Sequence, residues 1–396
     1  MLLRRRIHPP ALLALAVVGA LSIGSLVGCA PESSTSTTPS VTEPTETPTQ
    51  PPPPTPEELR HAKAVAIVDA LSTRERVGSV IVSSIPGTDP AVLGELMRSC
   101  GLGGFLLMGS NIPGTPDELR QLVASLTVDP ALPPLVSIDE EGGIVKRLPW
   151  DELPGADMLR SAPAEETSAA FRARAELLAS AGVNVNFGIV ADVTSDPRHF
   201  IYLRSLGDDP QTAAARVSAA VAGEHGLVAS TLKHFPGHGA TSGDSHVSIP
   251  STDMPLEAWK ARDAIPFTAG IAAGAELLMF GHLAYTAMSP LPASLSPEWY
   301  AYARDRLGFT GVAITDDLGM LQGSGLPEYQ DPVANTVAAL GAGADLAIVM
   351  SGMDAPGIEA LVAGVTAATE SGSLDAKRLR DAAVRVVDLR LKLAGE

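Results

Sequence analysis

Cysteine and basic residues are both scarce in this chain of 396 residues. The first scarcity limits disulfide bonds, and the second argues against binding to nucleic acid or anionic lipid. The only cysteines are Cys29 and Cys100, so if Cys29 carries lipid, no disulfide bond can form within one chain and stability must come from packing. Lysine and arginine number 28 against 45 acidic residues, which gives a formal charge of −17. We therefore do not expect the protein to bind nucleic acid or to adhere electrostatically to anionic lipid.

The first 28 residues have the pattern of an export signal. A basic segment, MLLRRR, precedes an apolar run from Ala11 to Gly28 that ends in LVGCA. An uncleaved transmembrane anchor is the alternative, because the run is close to the minimum length that spans a bilayer. The small residues before Cys29 resemble a bacterial lipobox, in which the thiol is acylated and the chain is cut before it. We expect residues 1–28 to be removed and the lipidated protein to be anchored to the cell membrane outside the cytoplasm.

Residues 29–58 differ in composition from the rest of the chain. They are almost wholly proline, threonine, serine and glutamate, with too little apolar surface to offset the cost of ordering. The consecutive prolines Pro51–Pro54 favour an extended conformation. This segment is predicted to be a disordered linker, and residues 59–396 are predicted to form one folded domain.

Short apolar runs alternate with helical segments throughout that domain. Eight runs are predicted strands: Gly78–Ser84, Gly103–Gly109, Pro134–Glu140, Val183–Val190, Ser230–Phe235, Glu276–His282, Gly311–Asp317 and Ala344–Met350. Most are apolar throughout instead of alternating, as expected for parallel strands buried on both faces. Among the predicted helices, one runs from Leu256 to Gly274. The pattern predicts an α/β fold, a single (β/α)8 barrel, with a doubly wound open sheet as the alternative.

Charged and imidazole side chains follow several of the predicted strands. They are Asp139, the pair Lys233 and His234, His282, and the pair Asp316 and Asp317. One such residue alone is more often a helix cap or a hydrogen-bonded core group. In a barrel, however, the carboxyl ends of the strands share one face, and active sites lie there. Four strands that end alike therefore predict a common site.

The stretch KHFPGHGATSGDSH, from Lys233 to His246, contains three histidines that could bind a metal or transfer a proton. His234 and His238 have a spacing that binds metal on a helix, but the intervening Phe-Pro-Gly is incompatible with a helix. We therefore expect neither a metal nor another cofactor. Asp244 and His246 are two positions apart, so in an extended segment their side chains would point the same way and touch.

Taken together, these motifs resemble glycoside hydrolase family 3, in its β-N-acetylglucosaminidase branch. The resemblance covers about Glu75 to Met350 and rests on DEEGGIVKRLP, AGVNVNFGIVADV, RSLGDDP, KHFPGHGATSGDSHVSIP, PLPASLSP and GFTGVAITDDLGM. Three departures affect the rim of the pocket and hence the leaving group. Ile144 stands where the family commonly has arginine, Leu206 where it has phenylalanine, and FGIVADV lacks a usual proline.

The resemblance implies a role for each site residue. Asp316 would be the nucleophile and His246 the general acid/base, with Asp244 orienting the imidazole. Asp139, Arg204, Lys233 and His234 would bind the hydroxyls of the terminal sugar. Such a pair of groups suits glycoside cleavage, because the leaving oxygen must be protonated while an anion captures the anomeric carbon. The implied enzyme is a retaining, monomeric exo-β-N-acetylglucosaminidase that acts on cell-wall muropeptides and is attached to the membrane through its lipid.

Four other interpretations remain open. The 2-acetamido group of the substrate could attack in place of Asp316, with the adjacent pair Asp316 and Asp317 polarising it. A phosphorylase of the same family would use phosphate in place of water, and a histidine acid repels phosphate less than a carboxylate does. A zinc-dependent hydrolase would lose activity in chelator. A surface lipoprotein that only binds sugars would show no catalytic dependence on Asp316 or His246.

Overall fold

The computed structural model describes residues Pro53–Glu396. The predicted signal, Cys29 and the predicted linker as far as residue 52 lie outside the described residues. The first helix, Pro56–Ala70, begins ahead of the predicted domain start at residue 59. A capping box explains the earlier start, because the Thr55 hydroxyl accepts from the Glu58 amide and the Glu58 carboxylate accepts from the Thr55 amide. The linker-like composition therefore continues into a helix that belongs to the folded domain.

Eight parallel strands form a closed barrel, as predicted from the sequence, and the open-sheet alternative is wrong. The barrel strands are β1 (Ile81–Ser83), β2 (Gly104–Leu107), β3 (Leu135–Ile138), β4 (Val185–Val190), β5 (Ala229–Phe235), β7 (Leu277–Phe280), β9 (Val312–Asp317) and β10 (Leu346–Ile348), while β6 (Ser251–Thr252) and β8 (Ala284–Tyr285) form a separate pair. The ring closes where β1 pairs with both β2 and β10. The first predicted strand was too long, since Gly78 and Ser79 end a helix.

Helices connect the barrel strands. They are α1 (Pro56–Ala70), α2 (Thr73–Ser79), α3 (Pro90–Cys100), α4 (Pro116–Ser125), α5 (Ala156–Leu159), α6 (Ala164–Ser180), α7 (Pro210–Glu224), α8 (Leu256–Lys260), α9 (Ala264–Ala272), α10 (Pro297–Asp305), α11 (Gly319–Gly323), α12 (Pro332–Ala342), α13 (Ala355–Glu370) and α14 (Ala376–Leu393). Many begin with a capping side chain followed by proline, as at Asp89, Asp209 and Asp331. Proline at the first helical position loses no hydrogen bond, so these dipeptides set the helix starts locally.

The helix predicted from Leu256 to Gly274 is wrong as a single element, because the structure has two helices, α8 and α9, in its place. Pro266 lies in the first turn of α9, where no amide is required from it. The break lets Trp259 at the end of α8 bury its ring and donate from Nε1 to the Pro236 carbonyl at 2.8 Å. This contact supports the backbone just after β5.

The core lies inside the barrel and between the barrel and its helices. Leu232, Phe235, Phe280 and Ile314 on three of the strands are completely buried. Polar residues at or just after the carboxyl ends of β3, β5 and β9 lie at the same end of the barrel, so Asp139, Lys233 and Asp316 line one cavity. Among the helices of residues 53–396, none is long and apolar enough to cross a membrane.

Candidate active site

A cavity of about 380 Å³ lies at the carboxyl ends of the strands. Six of the predicted site residues line it: Asp139, Arg204, Lys233, His234, His246 and Asp316. The seventh, Asp244, is bonded to His246. Residues from β3, β5 and β9 thus meet the loop after β5 at one end of the barrel.

Lys233 is the centre of the charged floor of this cavity. Its side chain is only 3% exposed, and its Nζ atom lies 2.8 Å from Asp139 Oδ1 and 2.7 Å from Glu141 Oε1. Arg204 binds the Glu141 carboxylate with two hydrogen bonds, of 2.9 and 2.7 Å. Such paired contacts keep buried charges compensated.

Sequence reasoning missed Glu141 and Arg147, although both lie within the quoted motif DEEGGIVKRLP. Arg147 lines the cavity and donates to Asp139 Oδ2 at 3.1 Å. The turn between them requires glycine: Gly142 has φ +83, and a Cβ atom there would lie 2.2 Å from the Arg174 guanidinium. The turn brings Arg147 back over Asp139.

The ion pairs fix the charge states of these carboxylates. Burial works to raise the pKa of Asp139, but Lys233 and Arg147 prevail and lower it to about 2. For Glu141, burial is likewise outweighed by Lys233 and Arg204, so its pKa is lowered. Both groups are therefore anionic acceptors at neutral pH, which suits binding of sugar hydroxyls.

His234 is held by Asp192, a residue that sequence reasoning also missed. Asp192 Oδ2 lies 2.7 Å from His234 Nδ1, and Oδ1 accepts from the His238 amide at 2.6 Å. With Nδ1 engaged, the His234 Nε2 atom is the ring nitrogen that faces Arg204, at 3.5 Å. The signal was present, because Asp192 follows the apolar strand β4 just as Asp139 follows β3.

Asp316 and Asp317 have different environments despite being adjacent. Burial works to raise the pKa of Asp316, but His234, His282 and the Asp317 amide lower it overall, so Asp316 is ionised. The Asp317 carboxylate instead accepts from the amides of Gly319, Met350 and Ser351. It ties β9 to the segment after β10.

His282 does not join the cavity lining that the strand-end pattern predicted for it. The ring is completely buried between the Ser294 hydroxyl, 2.7 Å from Nδ1, and the Asp317 carbonyl, 2.8 Å from Nε2. It acts as a structural support beneath the β9 carboxylates.

Asp244 and His246 touch, but for a different reason from the one predicted. The segment is a turn and not an extended strand: Val247 N donates to Asp244 O at 3.3 Å, and His246 N donates to Asp244 Oδ1 at 3.0 Å. The turn folds the ring back so that Nδ1 lies 2.6 Å from Asp244 Oδ1. Burial works to raise the Asp244 pKa, but the hydrogen bonds from His246 lower it.

This pair is the exposed part of the site. The His246 side chain is 62% exposed and that of Asp244 is 43% exposed, in contrast to the buried floor around Lys233. Between them, Ser245 is buried and its hydroxyl lies 3.0 Å from His238 Nε2. Burial lowers the pKa of His238 to about 3, with a further contribution from His234, so His238 is a neutral group.

Another cavity, of about 400 Å³, lies at the opposite end of the barrel, beside α1, α14 and the start of β9. Its charged groups are already paired with one another, as in Arg60 with Asp388 at 3.2 Å and Lys392 with Glu276 at 3.1 Å. It lacks the combination of an ionised acid and an imidazole at a strand end. We therefore assign the active site to the cavity around Lys233.

The three histidines of the KHFPGHG segment and its extension each have a hydrogen-bond partner on a ring nitrogen: Asp192, Ser245 and Asp244. Within residues 53–396, no group of three or more histidine, cysteine or acidic side chains is arranged to hold a metal ion.

The cavity at the end of the barrel brings together an ionised aspartate and an aspartate–histidine pair, groups that the cleavage of a glycosidic bond can use. The model of the N-terminal domain of glycosyl hydrolase family 3 matches residues 72–389. The chain belongs to glycosyl hydrolase family 3 and is a glycoside hydrolase.

Known members of the family are similar over most of the barrel. A beta-hexosaminidase of Xanthomonas oryzae pv. oryzae is 38% identical over 240 residues, which is 57% of this chain and 70% of that protein. The structure of a family 3 β-N-acetylglucosaminidase from Paenibacillus sp. str. FPU-7 matches with a TM-score of 0.76 and 30% identity, over 82% of this chain and 63% of that one. M. tuberculosis LpqI matches with a TM-score of 0.72 and 29% identity, over 82% and 95% of the two chains.

Proposed function

We propose that the protein is a retaining exo-β-N-acetylglucosaminidase that removes terminal β-linked N-acetylglucosamine from cell-wall fragments. The observation that carries the proposal is the presence, in one cavity, of an ionised, buried Asp316 and an exposed His246 bonded to Asp244. These are the nucleophile and the proton donor that a double displacement requires. The similarity to a beta-hexosaminidase and to a β-N-acetylglucosaminidase supports the choice of sugar.

The small volume of the cavity favours removal of one terminal sugar. Its volume, about 380 Å³, is at the small end of the range for ligand cavities. The buried floor, with Lys233 bound to Asp139 and Glu141, offers fixed donors and acceptors to the sugar hydroxyls.

In the first step, the Asp316 carboxylate attacks the anomeric carbon while protonated His246 gives its proton to the departing oxygen. The glycosidic bond breaks and a glycosyl ester to Asp316 forms. In the second step, neutral His246 takes a proton from water, whose oxygen attacks the anomeric carbon and releases Asp316. Two inversions retain the configuration. Asp244, bonded to Nδ1, leaves Nε2 as the nitrogen that exchanges the proton.

The environment of Asp317 is relevant to the alternative mechanism, in which the 2-acetamido group of the substrate attacks the anomeric carbon. That mechanism needs a carboxylate free to orient and polarise the amide. The Asp317 carboxylate is engaged by three backbone amides, so the adjacent acid pair offers one available group, Asp316. This removes Asp317 from the pair that would polarise the amide, and trapping of the intermediate decides between the two roles of Asp316.

The charges of the cavity favour hydrolysis over phosphorolysis. The cationic side chains among the described residues that line it are Arg147, Arg204 and Lys233, and each is bonded to Asp139 or Glu141. Phosphate would therefore enter without a free cation to pair with, whereas water carries no such cost.

The sequence supports the location and the substrate. A basic and apolar start that ends in a lipobox-like LVGCA suits export and lipid attachment at Cys29, and the linker would carry the enzyme toward the wall. Wall glycan contains β-linked N-acetylglucosamine. Release of that sugar from muropeptides, by an enzyme held on the outer side of the cell membrane, accounts for both features.

Hydrolysis of p-nitrophenyl N-acetyl-β-glucosaminide tests the proposal. His246→Ala should lower kcat by roughly 10²- to 10⁴-fold, the usual contribution of a general acid or base, and Asp316→Ala should abolish turnover. His225→Ala, at an exposed helix end, is the matched control and should retain full activity. Equal low rates in all three variants and the wild type would favour a sugar-binding protein, and a requirement for phosphate would favour a phosphorylase.

The intermediate can be tested separately. A slow 5-fluoro derivative of an N-acetylglucosaminide, which keeps the 2-acetamido group, should label Asp316, located by mass spectrometry of peptides. An oxazoline product without any protein adduct would instead indicate attack by the 2-acetamido group.

A further inference from the structure

Glu140 is a buried acid beside the site that the proposed mechanism does not use. Its side chain is completely buried, and both of its main-chain polar atoms are bound by Asn186, whose Oδ1 accepts from Glu140 N and whose Nδ2 donates to Glu140 O, each at 3.1 Å. Asp139 and Glu141 line the cavity, whereas Glu140, between them, is directed away from it. Its carboxyl group therefore serves something other than direct contact with the sugar.

One oxygen of Glu140 holds the loop that carries Arg147. Oε2 accepts hydrogen bonds from the amides of Arg147, at 2.8 Å, and Leu148, at 3.1 Å. The Arg147 guanidinium extends from this fixed backbone into the cavity and binds Asp139 Oδ2 at 3.1 Å. Glu140 thus fixes the backbone position from which the Arg147 side chain extends to Asp139, the aspartate proposed to bind the sugar.

The other oxygen, Oε1, has no N–H donor within the described residues and faces Asp151. Asp151 is also completely buried, and its Oδ2 accepts from Arg174 Nε at 2.7 Å while Oδ1 accepts from Leu153 N. Within the described residues, the Arg174 guanidinium is hydrogen-bonded to Asp151 and not to Glu140. Only one of the two carboxyl groups can be ionised without an uncompensated charge, and Asp151 has the cation.

The surrounding groups offer Glu140 no second cation. The Lys146 ammonium binds the main-chain oxygen of Asp151, and the remaining Arg174 contacts go to backbone carbonyls. On the far side of Asn186 lies Glu224, another buried acid. Burial, reinforced by Asp151 and opposed by the two amides, raises the pKa of Glu140 to about 8.

We propose that Glu140 is a positioning residue that works in its protonated form: Oε1–H donates to Asp151 while Oε2 holds the Arg147 backbone, so that the guanidinium stays aligned with Asp139. A proton suits this place, because a second buried anion beside Asp151 would have no cation of its own within the described residues. The inference rests on the proposed function only in the choice of sugar used to test it.

The test compares Glu140→Gln with Glu140→Ala. A glutamine amide reproduces one acceptor and one donor, so E140Q should keep KM for p-nitrophenyl N-acetyl-β-glucosaminide within about twofold of wild type. E140A frees the loop and should raise KM about tenfold with kcat less affected, because the lost contact acts on bound substrate as well as on the transition state. Equal increases of KM in both variants, or an unchanged KM in E140A, would overturn the proposal.

A second measurement does not depend on activity or on the folding of E140A. The infrared spectrum of the wild type at neutral pH should contain a carbonyl band of protonated carboxyl groups that is weaker in E140Q, where other buried acids such as Glu224 supply the remainder. Glu224→Gln is the matched control, because it removes another buried acid that does not contact Arg147 and should leave KM unchanged. An identical band in wild type and E140Q would show that Glu140 is ionised and refute the proposal. A wild type that fails to hydrolyse the sugar would refute the proposed function and leave this measurement valid.

Discussion

Replacement of Lys233 by methionine should destabilise the fold because it removes the cation between two carboxylates. The Lys233 and Glu141 side chains are 3% and 4% exposed, and Lys233 also pairs with Asp139. Removing one partner of a buried ion pair costs about 3–5 kcal/mol. Arg147 and Arg204 still contact one carboxylate each, so we expect the lower end, about 3 kcal/mol.

Urea unfolding at neutral pH, followed by circular dichroism, gives this free energy. Lys392→Met is the matched control: its ammonium group pairs with Glu276 at 3.1 Å, but the side chain is 45% exposed, so its loss should cost no more than about 1 kcal/mol. A change in the midpoint without a change in slope would show that stability alone was altered.

The pH dependence of the stability of K233M tests the same reasoning more strictly. In the wild type the pKa of Asp139 is lowered to about 2, so its stabilising contribution is complete above its unfolded pKa and is lost as the pH falls through the folded value. K233M lacks most of that contribution. The loss in free energy of unfolding of K233M relative to the wild type should therefore be largest at neutral pH and should become smaller in acid. A K233M variant as stable as K392M, or a deficit independent of pH, would refute the reasoning.

Three further predictions follow from other contacts. Burial raises the pKa of Glu224 to about 8, so its contribution to stability is complete below the unfolded pKa and is lost as the pH rises through about 8. Glu224→Gln should remove this pH dependence of the free energy of unfolding, which is up to about 1.4 kcal/mol per pH unit in urea titrations. Parallel plots of unfolding free energy against pH for the wild type and the variant would contradict this. Ser245→Ala removes the contact with His238 and should lower kcat about tenfold for poor leaving groups but little for dinitrophenyl, whereas equal losses would argue against a role in acid catalysis. Asp345 is completely buried and accepts hydrogen bonds from three arginines. Asp345→Asn should therefore lower the free energy of unfolding by about 3–5 kcal/mol, measured by calorimetry, with kcat retained. A Tm like that of the wild type would contradict this prediction.

The barrel was predictable because its signals are local. Parallel strands buried on both faces are short apolar runs, and all eight were found, although the first was drawn too long. The start of α1 was also encoded locally, in the capping box of Thr55 and Glu58, but its proline-rich surroundings concealed it. The break between α8 and α9 has a local signal in Pro266, which fits the first turn of a helix, whereas the burial of Trp259 against Pro236 is a contact between separate parts of the chain.

Most of the cavity was predictable from strand ends and motifs. Asp192 obeys the same rule as Asp139 and could have been found with it. His282 obeys the rule and is nevertheless a support under β9, because its side chain meets Ser294 and Asp317 in the core. The strand-end pattern identifies which residues reach one end of the barrel, and packing decides which of them face the cavity.

The three successive acids Asp139, Glu140 and Glu141 mark the boundary between the two kinds of information. The sequence determined that they follow a buried strand and that the glycines after them form a turn. Only the tertiary structure decided that the first and third are anions bound to Lys233 and that the second has a pKa raised to about 8. The physical reason is that an ionisation state depends on the charges and burial around a group, and here Lys233, Arg204 and Asp151 reach these acids from other parts of the chain.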